Sequence, residues 1–322
     1  MKAILYTKYG PPDVLQLQEI GKPSPKENEV LVNVHASSVN AIEWRLFTLP
    51  LILVRVMGGG LREPKNKSIG GDLAGRVEAV GSAVTRFRPG DEVFGLRRGA
   101  FAEYVCAVED DLVLKPANAS FEAAASVPLA GWTALQGLRD SGKIQAGQKV
   151  LINGAGGGVG TFAVQIAKYF GTEVTAVCSP RSLDAARSCG ADYVIDYTKE
   201  DFTKNGQRYD LILAVNGYHP ILDYRRALNP NGIYVVIGGS FAQMFQALLL
   251  GPLLSRPGNK KMVGMMTRPN PQDLAFLKEL LEAGKIVPVI DRRYPLSQVA
   301  EAIRYALQGH IRGKIVITNE PE

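Results

Sequence analysis

The stretch Val150-Leu-Ile-Asn-Gly-Ala-Gly-Gly-Gly-Val-Gly160, followed by Thr161-Phe-Ala-Val-Gln-Ile-Ala167, decides the fold of this chain. An apolar strand runs into a glycine turn, and the turn opens a helix. Gly154, Gly157 and Gly160 stand three residues apart. Such glycines let the backbone turn tightly and bring a pyrophosphate to the free N–H groups of a helix N-terminus. A glycine string alone is weak evidence, but the strand before it, the helix after it and a second strand at the right distance predict a dinucleotide site rather than a purely structural turn.

Apolar strands and helices alternate from residue 149 onward. The strands lack strict polar alternation, which is typical of strands buried on both faces of a sheet. They are predicted over Val150–Asn153, Glu173–Cys178, Tyr193–Asp196, Asp210–Val215, Ile233–Ile237 and Met262–Met266. This rhythm predicts a doubly wound parallel sheet.

The first hundred residues have a different texture, with short β-strands between Gly-Pro and Pro-Ser-Pro turns. Strands are predicted over Ala3–Thr7, Val14–Ile20, Glu29–Ala36, Arg76–Gly81, Asp91–Gly95 and Phe101–Val108. Ser120 is the predicted N-cap of a following helix. A helix over Ser297–Leu307 and a strand over Lys314–Thr318 close the pattern. With 322 residues, the chain is long enough for two domains.

Composition excludes several protein classes. With 46% hydrophobic and 21% charged residues, the chain can form real cores and is not a disordered protein. It contains three cysteines and three histidines, and no CxxC, HxH or HExxH pattern. A four-cysteine structural zinc site and a disulfide framework are therefore excluded. No secretory signal is visible, and scattered cysteines fit a reducing cytoplasm, so the predicted location is cytoplasmic.

The formal net charge is +6, and basic residues are interspersed with acidic ones. This pattern favours an ordinary solvated surface over nucleic-acid binding. The apolar stretch Tyr234–Leu254 is long enough to span a membrane, but Gly238, Gln243 and Pro252 interrupt it. We expect a buried strand followed by an apolar helix there, and no membrane span. The helical part, Phe241–Leu254, is either a core helix or the cover of an acceptor channel and a dimer contact.

The end of the second predicted strand bears on the cofactor. An acid about 20 residues past the glycines would hydrogen-bond the ribose of NAD. The sequence instead reads Ala176-Val-Cys-Ser-Pro-Arg181, which has no carboxylate to repel a phosphate. Ser179 can donate a hydrogen bond and Arg181 can pair with a 2′-phosphate, so we expect NADPH. The alternative is that Arg181 is only a solvated loop residue.

The chain resembles the medium-chain dehydrogenase/reductase superfamily, in its zinc-free quinone oxidoreductase-like branch, because several motifs occur in the order found there. These motifs are residues 29–40, 70–81, 87–94, 99–104, 125–134 and 309–314, together with the glycine turn. The resemblance implies an α/β protein with a GroES-like β-barrel catalytic domain over residues 1–120 and 291–322. It also implies a Rossmann NADP-binding domain over residues 121–290, with the active site in the cleft.

The resemblance also addresses zinc. Zinc-dependent members carry a cysteine near the position of Asn40 and a Gly-His-Glu where this chain reads Gly70-Gly71-Asp72. Gly71 has no ligand atom, so no metal is expected. Without a Lewis acid, hydride delivery to an electron-poor small-molecule acceptor is the natural chemistry. By resemblance Asn40 has the catalytic, substrate-orienting role; the alternative is an asparagine that satisfies backbone groups at a strand end.

The family resemblance assigns the remaining site residues to cofactor binding. The pyrophosphate is assigned to Gly157, Gly158 and Val159, and the nicotinamide amide to Thr133. Tyr197 joins Ser179 and Arg181 around the adenosine phosphate. The other cofactor contacts are assigned to Val215, Ile237, Gly238, His310, Ile311 and Arg312. The family pattern Asn-Val-Gly-Gly reads Val215-Asn-Gly-Tyr218 here, which puts contacts beyond Val215 in doubt.

Three functions are compatible with this sequence. The first is NADPH-dependent, zinc-independent reduction of a quinone or an α,β-unsaturated carbonyl. The second is a zinc-free NADP-dependent alcohol dehydrogenase. The third is an NADPH-binding redox sensor or nucleic-acid-binding protein with little activity. The resemblance further implies a homodimer.

Overall fold

The computed structural model describes residues 1–58, 60, 62–239, 241–255 and 260–319. The chain forms two compact units. Unit 1 comprises Met1–Leu129, Pro269–Glu282 and Ile290–Glu322, and unit 2 comprises Ala130–Arg268 and Ala283–Val289.

The strands and helices are as follows. The strands are β1 (Lys2–Tyr6), β2 (Leu15–Glu19), β3 (Glu29–Val39), β4 (Asp72–Val80), β5 (Glu92–Leu96), β6 (Tyr104–Val108), β7 (Leu112–Leu114), β8 (Lys149–Asn153), β9 (Glu173–Cys178), β10 (Tyr193–Asp196), β11 (Tyr209–Ala214), β12 (Leu228–Val236), β13 (Lys261–Gly264), β14 (Ile290–Pro295) and β15 (Lys314–Thr318). The helices are α1 (Ala41–Arg45), α2 (Leu51–Gly58), α3 (Phe121–Ala125), α4 (Pro128–Gln136), α5 (Gly158–Tyr169), α6 (Leu183–Ser188), α7 (Ile221–Ala227), α8 (Phe241–Leu254), α9 (Pro271–Glu282) and α10 (Val299–Leu307).

Unit 2 contains a parallel sheet with strand order β10-β9-β8-β11-β12-β13. In order of appearance this is 3-2-1-4-5-6, the arrangement of a dinucleotide-binding sheet, which reverses direction between its first and fourth strands. The apolar strands form the centre of the unit, and Leu151 and Ile212 have no exposed surface. Helix α5 buries Phe162 and Ile166. The predicted doubly wound parallel sheet is confirmed.

Unit 1 is built around the long strand β3. This strand pairs antiparallel with β4, β6 and β15 in a seven-stranded sheet, and β1 and β2 form a separate antiparallel pair. Val30, Val32 and Leu73 have no exposed surface, as expected for residues at the centre of a β-sheet core. β15 brings residues from late in the chain directly beside residues 36–39.

Most predicted strands occur within a few residues of their predicted ends, and β7 and β14 have no predicted counterpart. The largest differences lie at the starts of strands, and β4 begins at Asp72 rather than Arg76. The last strand of the first region begins at Tyr104 rather than Phe101. β12 begins at Leu228 rather than Ile233, because it pairs with Tyr209 before a register shift. The predicted N-cap is confirmed: the Ser120 hydroxyl accepts a hydrogen bond from a backbone N–H of α3 at 3.1 Å.

The compact units divide the chain differently from the predicted domain boundaries. Residues 121–129 and 269–282 group with unit 1, whereas the sequence assigned them to the second domain. α9 contributes to this difference, since the Glu282 carbonyl at its end accepts a hydrogen bond from Asn118 Nδ2 at 2.9 Å. Helix α9 therefore belongs to unit 1, although it follows β13 of unit 2.

Helix α8 corresponds to the predicted apolar helix, and its described side chains divide between the core, where Gln243 is buried and Leu254 packs, and the surface. Phe245 is 62% exposed and Leu253 is 71% exposed, so the core reading of Phe241–Leu254 is wrong for these side chains. Within the described ranges, we find no helix with both the length and the apolar character needed to cross a membrane.

Candidate functional site

The glycines of the turn after β8 serve different purposes. Gly154 has φ +88°, and a Cβ there would lie 2.7 Å from the Asn216 backbone nitrogen; a Cβ at Gly160 would lie 2.2 Å from the Gly154 carbonyl oxygen. Close backbone packing explains both. Gly157, the N-cap of α5, has an ordinary φ of −87°, and the nearest atom to its Cβ position is 3.9 Å away. The chain itself does not require glycine there, which leaves space for a ligand at the helix N-terminus.

Val215, Ile237 and Gly238 follow the neighbouring strands β11 and β12. The Val215 N–H donates to the Asn153 carbonyl at 2.9 Å, and the Ile237 N–H donates to Ala214 at 3.1 Å. These three predicted residues therefore lie at the same sheet edge as the glycine turn, beside the point where strand order reverses. We call this edge, formed by the carboxyl ends of β8 to β12, the switch-point edge; it is where open α/β sheets bind ligands.

Ser179, Arg181 and Tyr197 meet at the same edge. They follow β9 and β10, which pair at their last residues, and the Tyr197 N–H donates to the Cys178 carbonyl at 3.3 Å. The Arg181 and Tyr197 side chains are exposed. Sequence reasoning missed Asp196 beside them. Hydrogen bonds from Thr198 lower the pKa of Asp196, so this carboxylate is charged and locally held.

Thr133 lies on α4, in the same unit. Its hydroxyl is 2.8 Å from the Thr267 hydroxyl, and Gln136 exchanges two hydrogen bonds with the backbone of Arg268, at 2.7 and 3.0 Å. α4 is therefore anchored to the segment that follows β13. The assignment of Thr133 to the nicotinamide amide stays a prediction.

A buried polar network holds the loop Val215-Asn-Gly-Tyr218 at the Gly217 carbonyl. Asn153 Nδ2 donates to the Tyr224 hydroxyl at 2.8 Å, and this hydroxyl donates to the Gly217 carbonyl at 3.3 Å. Gln243 Nε2 donates to the hydroxyls of Tyr224 and Tyr234 at 3.2 and 3.0 Å. Burial raises the pKa of Tyr224 to about 12. The network connects the last residue of β8, the loop after β11 and α8. The sequence feature that could have indicated this network is an asparagine, Asn153, at the end of an apolar strand.

The polar residues of unit 1 converge on Asn40. Lys314 Nζ donates to Asn40 Oδ1 at 2.5 Å and to Asp72 Oδ2 at 3.3 Å. Asn40 Nδ2 donates to Asp72 Oδ2 at 2.8 Å, as does Ser38 Oγ at 2.7 Å. The other oxygen, Asp72 Oδ1, accepts the Leu129 N–H at 3.0 Å. Asp72 has no exposed surface, and Lys314 is 3% exposed.

Glu43 completes this group of Ser38, Asn40, Glu43, Asp72 and Lys314, which we call the Asn40 cluster. The Asn40 N–H donates to Glu43 Oε2 at 2.7 Å in a capping box at the start of α1. Burial, and then repulsion from Asp72, raise the pKa of Glu43 to about 8. The structure thus makes Asn40 a helix N-cap with an engaged side chain. Its catalytic role stays a prediction.

Sequence reasoning missed Lys314, Asp72 and Glu43 as members of this cluster. The signals were present: a lysine opens the otherwise apolar strand β15, and an acid opens β4. Nothing local indicates that these residues meet, since Lys314 and Asn40 are 274 residues apart in sequence.

His310, Ile311 and Arg312 form a short loop before β15 in unit 1. Ile311 packs against the apolar core that includes Val299 and Ile303. The Arg312 N–H donates to Asp291 at 3.0 Å. The loop is thus anchored within its own unit, and its assignment to the cofactor stays a prediction.

Comparisons with known proteins match this architecture. Residues 26–117 match a family model described as the alcohol dehydrogenase GroES-like domain, and residues 189–317 match one described as zinc-binding dehydrogenase. The chain is 31% identical to the chloroplast envelope quinone oxidoreductase homolog of Arabidopsis thaliana over 335 residues, covering 98% of both chains. The chain belongs to the medium-chain dehydrogenase/reductase superfamily, in its quinone oxidoreductase-like branch.

Two further members of this superfamily are close to the chain. It is 33% identical to the NADPH-dependent alkenal/one oxidoreductase of Arabidopsis thaliana, over 98% of this chain and 79% of that one. The quinone oxidoreductase structure from Coxiella burnetii aligns with a TM-score of 0.87 at 30% identity, over 99% of each chain. The predicted fold, a GroES-like domain with a Rossmann sheet, and the predicted family are confirmed.

The name of the second family model raises the question of zinc. In the ranges that the structure describes, no group of three or more histidine, cysteine, aspartate or glutamate residues is arranged to hold a metal ion. Around Gly71, the nearest carboxylates are Glu43 and Asp72, and every Asp72 oxygen already accepts hydrogen bonds, including one from the Lys314 ammonium. These residues do not fit a zinc ligand set.

Proposed function

We propose that the protein delivers hydride from NADPH to a quinone or an α,β-unsaturated carbonyl, without zinc. One observation carries the proposal: the switch-point edge has free space at Gly157, with Ser179 and Arg181 rather than a carboxylate at the end of β9. The names of relatives at 31% and 33% identity support the two acceptor classes.

The chain's contribution to cofactor binding comes from two places. Gly157, Gly158 and Val159 offer the N–H groups of the α5 N-terminus to a pyrophosphate. Ser179 and Arg181 offer a hydroxyl and a guanidinium to the 2′-phosphate. NADPH, when bound, supplies a hydride. The third interpretation, a redox sensor or nucleic-acid-binding protein with little activity, shares this cofactor binding. It differs in turnover and, in its second form, in binding nucleic acid.

The cofactor choice is tested with Arg181→Ala. Loss of a guanidinium–phosphate pair weakens NADPH binding by about tenfold, while NADH binding is unchanged. Isothermal titration measures both affinities. Arg187→Ala, the same change at an exposed position on α6, is the control. Equal NADPH affinity before and after the Arg181 change would show that this residue is only a solvated loop residue.

Asn40 is the proposed orienting residue for the acceptor. When hydride adds to an enone or quinone, negative charge develops on a remote oxygen, and hydrogen-bond donors stabilise it. One Asn40 amide hydrogen is held by Asp72 at 2.8 Å, whereas the contact from Nδ2 to the Ser38 carbonyl is long, at 3.4 Å. Lys314 at Oδ1 polarises the amide and strengthens Nδ2 as a donor.

Turnover is tested by following NADPH absorbance with a panel of quinones and enones. Consumption with at least one acceptor, unaffected by a chelator, is expected. Tight NADPH binding without turnover on the whole panel would contradict the proposal and favour the sensor reading. Chelator-insensitive oxidation of alcohols with NADP as the preferred reaction would favour the zinc-free alcohol dehydrogenase instead.

The proposal includes a homodimer in a reducing, cytoplasmic location. Among the described strands, β13 pairs with β12 alone, and a strand edge of this kind can pair with another chain. The three cysteines are free thiols, which supports a reducing compartment. Light scattering at micromolar concentration tests the dimer, and a monomer mass would contradict it.

A further inference from the structure

Helix α8 exposes an apolar face. Phe245, Leu249, Leu250 and Leu253 are 62%, 53%, 42% and 71% exposed, and their spacing puts them on one side of the helix. Residues 241–254 contain no charged residue. A contiguous apolar face of this kind marks an interaction surface more often than scattered single residues do.

A basic groove lies in the same unit. It has a volume of about 530 Å³, and its described lining residues are Arg208, Pro220, Leu222, Asp223, Arg225, Arg226 and Lys260. Four of these are basic, while the one acid is paired with Arg226. Burial, and then repulsion from Arg208 and Arg225, lower the pKa of Lys260. Like charges are therefore crowded in this groove, and an anion would relieve their repulsion.

The apolar face and the basic groove adjoin at the end of α8. Ser255, just past the helix, accepts a hydrogen bond from the Met262 N–H at 2.8 Å, two residues beyond Lys260. The Lys260 ammonium in turn donates to the Arg225 carbonyl at 2.8 Å. Leu222, which lines the groove, is itself 59% exposed.

We propose that the α8 face and the basic groove together dock the protein on an anionic lipid surface. The apolar side chains enter the headgroup boundary, and the guanidinium and ammonium groups contact lipid phosphates. A nucleic acid would use the groove but leave the apolar face exposed. A second copy, packed through the same surface, would bring two positively charged grooves together, which is unfavourable.

The far end of α8, around Leu253, and the adjoining basic residues are separate from the candidate cofactor site, whereas α8 begins three residues past Gly238. Arg208 and Lys260 immediately precede β11 and β13, so the groove lies at the amino ends of parallel strands. The cofactor residues lie at the carboxyl ends. Docking through Leu253 and these basic residues involves the opposite end of the sheet from Gly157, and the proposal does not depend on the proposed reductase activity.

Vesicle flotation with the full chain tests the proposal, without cofactor or acceptor. We expect the protein to float with phosphatidylcholine vesicles that contain phosphatidylglycerol, and not with pure phosphatidylcholine, and raised salt to release it. The double variant Leu249→Ser, Leu253→Ser should weaken binding more than about tenfold. Arg226→Glu, which reverses one charge near the surface, should weaken it by about tenfold or more.

Matched controls use exposed positions elsewhere. Val287→Ser is the apolar control and Arg88→Glu the charge control, and both should bind vesicles like the unchanged protein. NADPH affinity should be equal in all variants, which shows that each is folded. No binding to anionic vesicles at low salt overturns the proposal, as does binding that survives both test variants. A change in light-scattering mass or in RNA binding, without vesicle binding, would assign the surface to a second copy or to nucleic acid and also overturn it.

Discussion

The glycine turn of unit 2 and the Asn40 cluster of unit 1 differ in where their polar groups come from. The turn offers backbone N–H groups at the start of α5, and it has open space at Gly157. The cluster consists of buried side chains whose charges are already engaged with one another, as with Lys314, Asn40 and Asp72. The glycine turn can therefore accept a charged ligand such as a pyrophosphate. The Asn40 cluster instead surrounds the Asn40 amide with buried charges that are already paired.

This contrast predicts that the cluster depends on charge compensation. Lys314→Met removes the ammonium from Asp72 and leaves a buried carboxylate uncompensated, which should destabilise the protein by about 3–5 kcal/mol. Urea unfolding measures the loss. Lys285→Met, the same change at an exposed position, should shift stability by no more than about 0.5 kcal/mol. Equal stability of the two variants would mean that Asp72 does not need Lys314.

The turn should instead depend on backbone space, and its glycines should separate into two kinds. Gly160→Ala brings a Cβ against the Gly154 carbonyl and should cost about 1–3 kcal/mol of stability. Gly157→Ala meets no such obstacle and should unfold like the unchanged protein, yet bind NADPH about tenfold more weakly because the methyl group takes the pyrophosphate's space. Thermal unfolding and calorimetric titration check the pair. Unchanged NADPH affinity in Gly157→Ala would show that the pyrophosphate does not bind beside Gly157.

The same contrast separates the features that the sequence predicts from those that it does not. Glycine spacing and apolar strands are local patterns, so they predicted the parallel sheet and the turn after β8. The residues that end the second strand indicated Ser179 and Arg181, whereas Tyr197 was added only by the family resemblance. The Asn40 cluster was not predicted, because it forms only when β15 pairs beside β3 and brings in Lys314. Likewise the Tyr224 network joins residues from β8, α7 and α8, which no periodicity connects.

The pH dependence of stability sharpens the description of the cluster. Because the pKa of Glu43 is raised to about 8, the folded protein holds a proton there that the unfolded chain loses near pH 4.3. Folding stability should therefore fall as pH rises between these values, by at most about 1.4 kcal/mol per pH unit. Glu43→Gln should flatten this part of the profile, measured by urea unfolding at several pH values. Parallel profiles for both proteins would contradict the raised pKa.

The smallest expected effect concerns the support of the turn. Tyr224→Phe removes the hydroxyl between Asn153 and Gly217 and should cost about 1 kcal/mol of stability. The KM for NADPH should rise about threefold with kcat unchanged, because the loop beside the turn loosens. Tyr234→Phe, which loses a hydrogen bond from Gln243 but leaves Asn153 engaged, is the control and should keep its KM. An equal rise of the KM for NADPH in both variants would show that the hydrogen bonds of Tyr224 have no specific role in supporting the turn.

The distance along the chain between Asn40 and Lys314 has a consequence for biosynthesis. On a ribosome, Asp72 and Asn40 are made long before Lys314, which follows Asn40 by 274 residues. Unit 2 is almost contiguous, from Ala130 to Val289 apart from Pro269–Glu282, and domains generally fold as they emerge. The charge pairing of the Asn40 cluster is therefore completed only after all of unit 2 has been synthesised, so the middle of the nascent polypeptide can fold while Asp72 still lacks its lysine.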